Sequence, residues 1–161
     1  LQNQKQWNID WPKFLISLLI PVAVGTVAGW LIQGSADFYN GLIKPPFAPP
    51  AALFPLVWTV LYLLMGIAAY RVHQSEGEGK QSALRLYYIQ LVVNFLWPIS
   101  FFLWKNFWLS FLILMVLWIL VGVLTFRFWK LDRPAGIMMV LYWIWLTFAA
   151  YLNLFVAILY G

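Results

Sequence analysis

The residues with chemistry to offer lie inside long apolar runs. In "LYYIQLVVNFLWPISFF", residues 86–102, Gln90, Asn94, Trp97 and Phe101 fall on one face when each residue turns by about 100°. A second run places Tyr142, Trp145, Ala149 and Asn153 together, and a third aligns Trp58, Tyr62, Met65 and Ala69. If these faces converge, they enclose an aromatic-walled space with a few fixed hydrogen-bonding groups, which is how small-molecule pockets are built. The same side chains have a plainer use. Amides inside membrane bundles often only tie helices together, at about 0.6 kcal/mol per bond on average. Depth separates the roles of the indoles. Trp7, Trp11, Trp104, Trp108 and Trp129 lie near the ends of apolar runs, where tryptophan forms interfacial belts, whereas Trp145 lies mid-run.

Little else could do chemistry. The five acids, Asp10, Asp37, Glu76, Glu78 and Asp132, stand outside the apolar runs, His73 is the single histidine, and cysteine is absent. No carboxylate pair, nucleophile–base pair or phosphate loop can be assembled from them. Hydrolytic catalysis, a metal site and a proton relay through buried carboxylates are therefore not expected. A net charge of +5 could favour nucleic acid, but the cations cluster at the ends of apolar runs rather than along a basic stripe, so no nucleic-acid partner is expected.

The elements that must position these groups follow from composition. The chain of 161 residues is 64% hydrophobic and 9% charged, against about 25% charged in soluble domains. So short a chain cannot hide that much apolar surface in a water-soluble core. Five runs free of Asp, Glu, Lys and Arg are long enough to cross a bilayer, and predict helices at about 12–33, 52–72, 82–104, 107–129 and 134–159. The expected fold is thus all-α: an integral membrane bundle of five transmembrane helices forming a single domain over residues 1–161. The first run is too long for a cleaved leader and reads as a helix that stays. Pro21 and Pro98 should kink their helices. "GTVAG", Gly25 to Gly29, is a GxxxG pattern that suits either a dimer interface or close packing within the bundle. Lys5, Lys13, Arg71, Lys80, Arg85, Arg127, Lys130 and Arg133 gather on one side, and only Lys44 and Lys105 on the other. The positive-inside rule then puts the N-terminus in the cytoplasm and the C-terminus outside.

The longest connection, residues 34–51, contains "KPPFAPP", Lys44 to Pro50. Together with "FPLVWTVLYLLMGIAAYRV" at 54–72, "QLVVNFLWPISFF" at 90–102 and "YWIWLTFAAYLN" at 142–153, it resembles the TspO/MBR family. That family holds the tryptophan-rich sensory proteins of bacteria and the mitochondrial translocator protein, or peripheral-type benzodiazepine receptor. The resemblance spans about residues 25 to 155. It implies a five-helix bundle, often a homodimer, expected here in a bacterial cell membrane. It also implies porphyrins, haem and similar flat apolar molecules as ligands rather than required cofactors, with membrane lipid as a further partner.

Carried over by motif, the family's pocket positions fall on Tyr39, Trp58, Tyr62, Asn94, Trp97, Trp108, Trp145, Ala149 and Leu152. Trp108 thereby acquires a pocket reading beside its belt reading. Phe47 stands where the family's W-x-P-P motif has tryptophan, so a ring remains but the indole donor is lost. The prolines have no N–H to satisfy at membrane depth. The loop is expected to be a stiff lid, with Phe47 as its plug over the outer mouth of the bundle. The function implied is that of a receptor or sensor regulating tetrapyrrole handling or stress responses. One alternative is a light- and oxygen-dependent porphyrin-degrading enzyme with Trp58 and Trp145 as electron donors. The other is a porphyrin or lipid transporter, against which no internal repeat is visible.

Overall fold

The computed structural model describes residues 8–161, so Lys5 and Trp7 lie outside the described residues. Five helices are long and apolar enough to cross a membrane. These are α1 (Trp11–Leu31), α3 (Leu53–Gln74), α4 (Lys80–Pro98, continued by a π-helical turn, Ile99–Leu103), α5 (Phe107–Leu131) and α6 (Arg133–Tyr160). One element was not foreseen. The connection after α1 contains a short helix, α2 (Ser35–Asn40). Six residues are too few for a hydrophobic period to register, and the prolines that follow dominate the reading of that stretch. Gly34, at φ 81°, makes the left-handed step from α1 into α2 that only glycine takes cheaply.

The helix ends are set by local chemistry. Asp10 caps α1 and is followed by Pro12, whose missing N–H is harmless in a first turn. Asn106 caps α5, accepting from Leu109 N at 3.1 Å. Asp132 has two partners: its carboxylate accepts from Ala135 N at 3.1 Å to cap α6, and takes the Arg71 guanidinium at 2.7 Å. That pair ties the α5–α6 turn to the end of α3. Pro98 gives no sharp break. Past it the hydrogen bonding lengthens to a five-residue step, with Trp104 N donating to Ile99 O at 3.0 Å. A π turn of this kind is a local widening of the helix that commonly accompanies functional sites.

The core runs along the centre of the bundle. Met65, Ala68 and Val72 of α3, Leu114, Leu117, Val121 and Leu124 of α5, and Met139, Tyr142 and Leu146 of α6 are fully buried. The outer faces carry exposed Leu, Ile, Val and Trp, as a lipid-facing surface requires. Trp11, Trp104, Trp108 and Trp129, at the helix ends, are all well exposed, which fits the belt. α1 is the outlying helix, with only Pro21 and Ala28 buried. It leans on α3, where Ser17 Oγ donates to Gly66 O at 2.8 Å. Between α1 and the rest of the bundle, space remains.

Candidate functional site

The three faces read from helical spacing do converge. Gln90, Asn94, Trp97 and Phe101 of α4 and its π turn are buried, as are Tyr142, Ala149 and Asn153 of α6. Their polar groups first satisfy one another. Tyr62 Oη donates to Asn94 Oδ1 at 2.7 Å, Asn94 Nδ2 donates to Tyr142 Oη at 2.6 Å, and Tyr142 Oη donates to Gln90 Oε1 at 2.9 Å. Beside this chain, Trp97 Nε1 donates to Asn153 Oδ1 at 2.9 Å, and Asn153 Nδ2 donates to Phe107 O at 3.0 Å. Amides that spacing alone left between two uses are therefore engaged in joining α3, α4 and α6. Asn94 keeps only its second lone pair and second amide hydrogen for anything else.

Trp58 is the hub of the aromatic wall. Its ring centroid lies 5.6 Å from Tyr62, 6.1 Å from Trp97, 6.5 Å from Tyr142 and 6.4 Å from Trp145. In front of this wall is a cavity of about 450 Å³. Trp58, Tyr62, Asn94 and Trp97 form one side of it. Val22, Gly25 and Gly29 of α1, with Ile32 just past its end, form the other, with Pro98 and Phe102 at the π turn. Ser35 and Tyr39 of α2, with Phe54, close the end beneath the loop. The cavity thus lies between α1 and the α3–α4 pair, not among α3, α4 and α6 as the spacing implied.

The ten expected site residues divide accordingly. Tyr39, Trp58, Tyr62, Asn94 and Trp97 line the cavity. Trp145 stands behind the wall, against Phe54 at 5.9 Å and Trp58 at 6.4 Å. Its Nε1 is buried and meets no acceptor among the described residues. Ala149 and Leu152 are packed into the core. Trp108 is peripheral and 49% exposed, which keeps its belt reading. Phe47 is not a plug over this cavity: it is 92% exposed and borders a shallow groove on the outside of α6, beside Ile144, Phe148 and Tyr151.

The part assigned to Phe47 falls to Tyr39. This side chain is buried, lines the cavity, and donates from Oη to Pro49 O at 2.7 Å, clasping the proline loop from below. Burial raises the phenol above its ordinary pKa, so it stays a neutral donor. Lys44 holds the same corner, with Nζ donating to the carbonyls of Tyr39, Asn40 and Leu42 at 3.2, 3.3 and 3.1 Å. A cation at the C-terminal end of α2 lies where the carbonyls of the last turn point and the helix dipole favours positive charge. Tyr151 Oη donates to Pro46 O at 3.3 Å, and Tyr160 Oη accepts from Ile43 N at 2.8 Å, fixing the loop to α6.

Spacing missed the α1 wall: the GTVAG pattern reads as a dimer interface or close packing, not as a lining. A Cβ at Gly25 would overlap the Tyr62 ring, so that glycine admits the tyrosine. A Cβ at Gly29 would meet nothing within 4 Å, because it faces the open cavity. The two glycines therefore serve, respectively, packing inside the bundle and a lining. The hydroxyls of Thr26, Thr59 and Ser35 donate to the carbonyls of Val22, Pro55 and Ile32. Among the described residues, no charged side chain lines the space, and no three His, Cys, Asp or Glu side chains gather anywhere. Such a site can hold a flat apolar molecule against indole and phenol rings. Its residues offer no acid–base pair.

Comparison with known proteins agrees with this architecture. The sequence model of the TspO/MBR family matches residues 17–159. A tryptophan-rich sensory protein of Cereibacter sphaeroides is 42% identical over 146 residues, covering 91% of this chain and 90% of that protein. A translocator protein homolog of Schizosaccharomyces pombe is 36% identical over 140 residues, 84% of this chain and 85% of its own length. The translocator protein of Ovis aries is 30% identical over 139 residues, 84% and 82% of the two chains. Five apolar spans, a proline loop clasped over the bundle and a match along nearly the whole chain make this an integral membrane protein that belongs to the TspO/MBR family.

Proposed function

We propose that the chain is a membrane receptor that takes flat, apolar ring molecules, tetrapyrroles such as protoporphyrin and haem among them, into the cavity between α1 and the α3–α4 pair. The observation that carries this reading is the cavity itself: about 450 Å³, walled by Trp58, Trp97 and Tyr62 and faced by the small residues of α1. Its size lies in the range of ligand pockets. Indole faces favour π-faced ligands, at about 1–3 kcal/mol per stacked ring by analogy with base stacking. The names of the relatives, a sensory protein and translocator proteins, support a role in sensing or handling a small molecule. Occupancy would bear on Tyr39 and through it on the loop, which gives a receptor a route to an output. The test is a titration of purified protein in nanodiscs with protoporphyrin, read by tryptophan quenching. Trp97→Leu should weaken binding by roughly tenfold or more, given tenfold per 1.4 kcal/mol. Binding as tight as the parent's would remove this wall from the site.

A second reading has one observation in its favour. Trp97, Trp58 and Trp145 form a continuous series of rings at 6.1 and 6.4 Å, leading from the cavity into the bundle. Such a series could hold the indole radical left when a photoexcited porphyrin takes an electron from it and passes that electron to oxygen as superoxide, which would then oxidise the ring. Illumination of the bound complex separates the readings. A spectrum stable in light supports a receptor, and oxygen-dependent bleaching to a new product supports an enzyme.

A further inference from the structure

Haem iron in proteins is held by the side chains of His, Cys, Met or Tyr. The inventory of these around the cavity is short. Cysteine is absent from the chain and His73 is its one histidine. His73 lies fifteen residues along α3 from Trp58, about 22 Å at 1.5 Å per residue, with its ring nitrogen against Tyr88 Oη at 3.3 Å. Met65 lies about 10 Å along the same helix; its sulfur faces the Gln90 amide and it does not line the cavity. Met115, Met138 and Met139 belong to α5 and α6, which contribute nothing to the lining. Tyr39 and Tyr62 do line it, but both phenols are donors to fixed acceptors, Pro49 O and Asn94 Oδ1.

Charge is equally scarce. A tetrapyrrole with ionised carboxylates would need cations or water, because an unpaired charge at membrane depth is costly. Among the described residues Lys44 reaches a lining side chain, its Nζ 5.0 Å above the Tyr39 ring, and its ammonium already serves three carbonyls. Lys105 packs over Phe38, on a part of α2 that does not line the cavity.

Resting on the receptor reading, we propose that the cavity recognises the ring system of its ligand and neither a central metal nor ionised carboxylates. Haem, metal-free protoporphyrin and the protoporphyrin dimethyl ester are then held alike, haem carries no axial ligand from the protein, and acid groups point out of the cavity.

The test uses the full chain in nanodiscs and these three probes. Affinities for all three should agree within about threefold, and the spectrum of bound haem should be unchanged by His73→Ala, Tyr39→Phe and Tyr62→Phe. Haem binding tenfold or more tighter than metal-free protoporphyrin, or a haem spectrum altered by one of these variants, would overturn the inference and leave the receptor reading intact. So would an ester bound tenfold more weakly than the diacid. Lys44→Gln gives an independent check: equal effects on diacid and ester support the inference, and a loss confined to the diacid overturns it. Failure of all three probes to bind would overturn the receptor reading together with the inference.

Discussion

Replacing Asn94 by leucine should destabilise the empty protein, and the structure gives the size of the effect. Asn94 is 1% exposed and stands between two tyrosines. Its Oδ1 accepts from Tyr62 at 2.7 Å and its Nδ2 donates to Tyr142 at 2.6 Å. In Asn94→Leu the two phenols fare differently. Tyr142 Oη still donates to Gln90 Oε1 and loses only a donor from its lone pair. Tyr62 Oη loses its acceptor outright. An unsatisfied buried donor costs about 1–3 kcal/mol, whereas a hydrogen bond inside a membrane bundle averages about 0.6 kcal/mol and reaches about 1.7 at most. The expected loss is therefore about 1–3 kcal/mol, nearly all of it from Tyr62. The double variant Tyr62→Phe with Asn94→Leu removes donor and acceptor together, so it should recover part of that loss. Unfolding in mixed micelles of rising SDS fraction, followed by circular dichroism, measures each corner of the cycle. Asn94→Leu as stable as the parent, or a cycle with no coupling, would mean the amide is not committed to the bundle. Asn94 would then be available to a ligand rather than joined to its neighbouring helices.

Two other outcomes follow from the loop and the spans. Tyr39→Phe removes the clasp on Pro49 O while leaving the ring in the cavity wall. Protoporphyrin should leave severalfold faster with helix content unchanged, and stopped-flow displacement that shows no change in off-rate would refute a gating role for the clasp. A reporter inserted at Gly77 and one fused after Gly161 should report opposite sides of the membrane, because α4, α5 and α6 separate them. Reporters on the same side would break the five-span fold.

The fold was largely legible because apolar length is a strong signal. All five spans lie within a few residues of where charge-free runs placed them, and caps such as Asp132 with Pro134 are visible as residues. The inward faces of α3, α4 and α6 were also legible, since polar side chains in lipid must turn toward protein. What spacing could not give was which inward face borders open space. Trp145 and Trp58 both look like pocket residues on a helical wheel. They differ only because Phe54 and Trp58 pack between Trp145 and the cavity. The α1 wall was obscure for the opposite reason, because glycines carry no side chain to mark a lining. Phe47 misled because a ring among prolines reads as a plug, while in the fold it lies exposed on the outer side of α6, away from the α1 cavity. The π turn after Pro98, which brings Phe102 to the cavity, has no periodic signature at all.

The central claim is that ligand occupies the space between α1 and the α3–α4 wall, and Gly29→Leu tests it most directly. A side chain at this position meets nothing within 4 Å, so leucine should fold without a clash and project into the cavity. It takes room from the ligand while leaving every aromatic ring and hydrogen bond in place. Protoporphyrin titration of this variant should show affinity reduced by about tenfold or more, equivalent to about 1.4 kcal/mol or above, with unfolding unchanged. Ile119→Ala, on the lipid-facing surface and 59% exposed, should bind as the parent does. If Gly29→Leu also binds as the parent does, the ligand is held elsewhere and the α1 cavity is not the site.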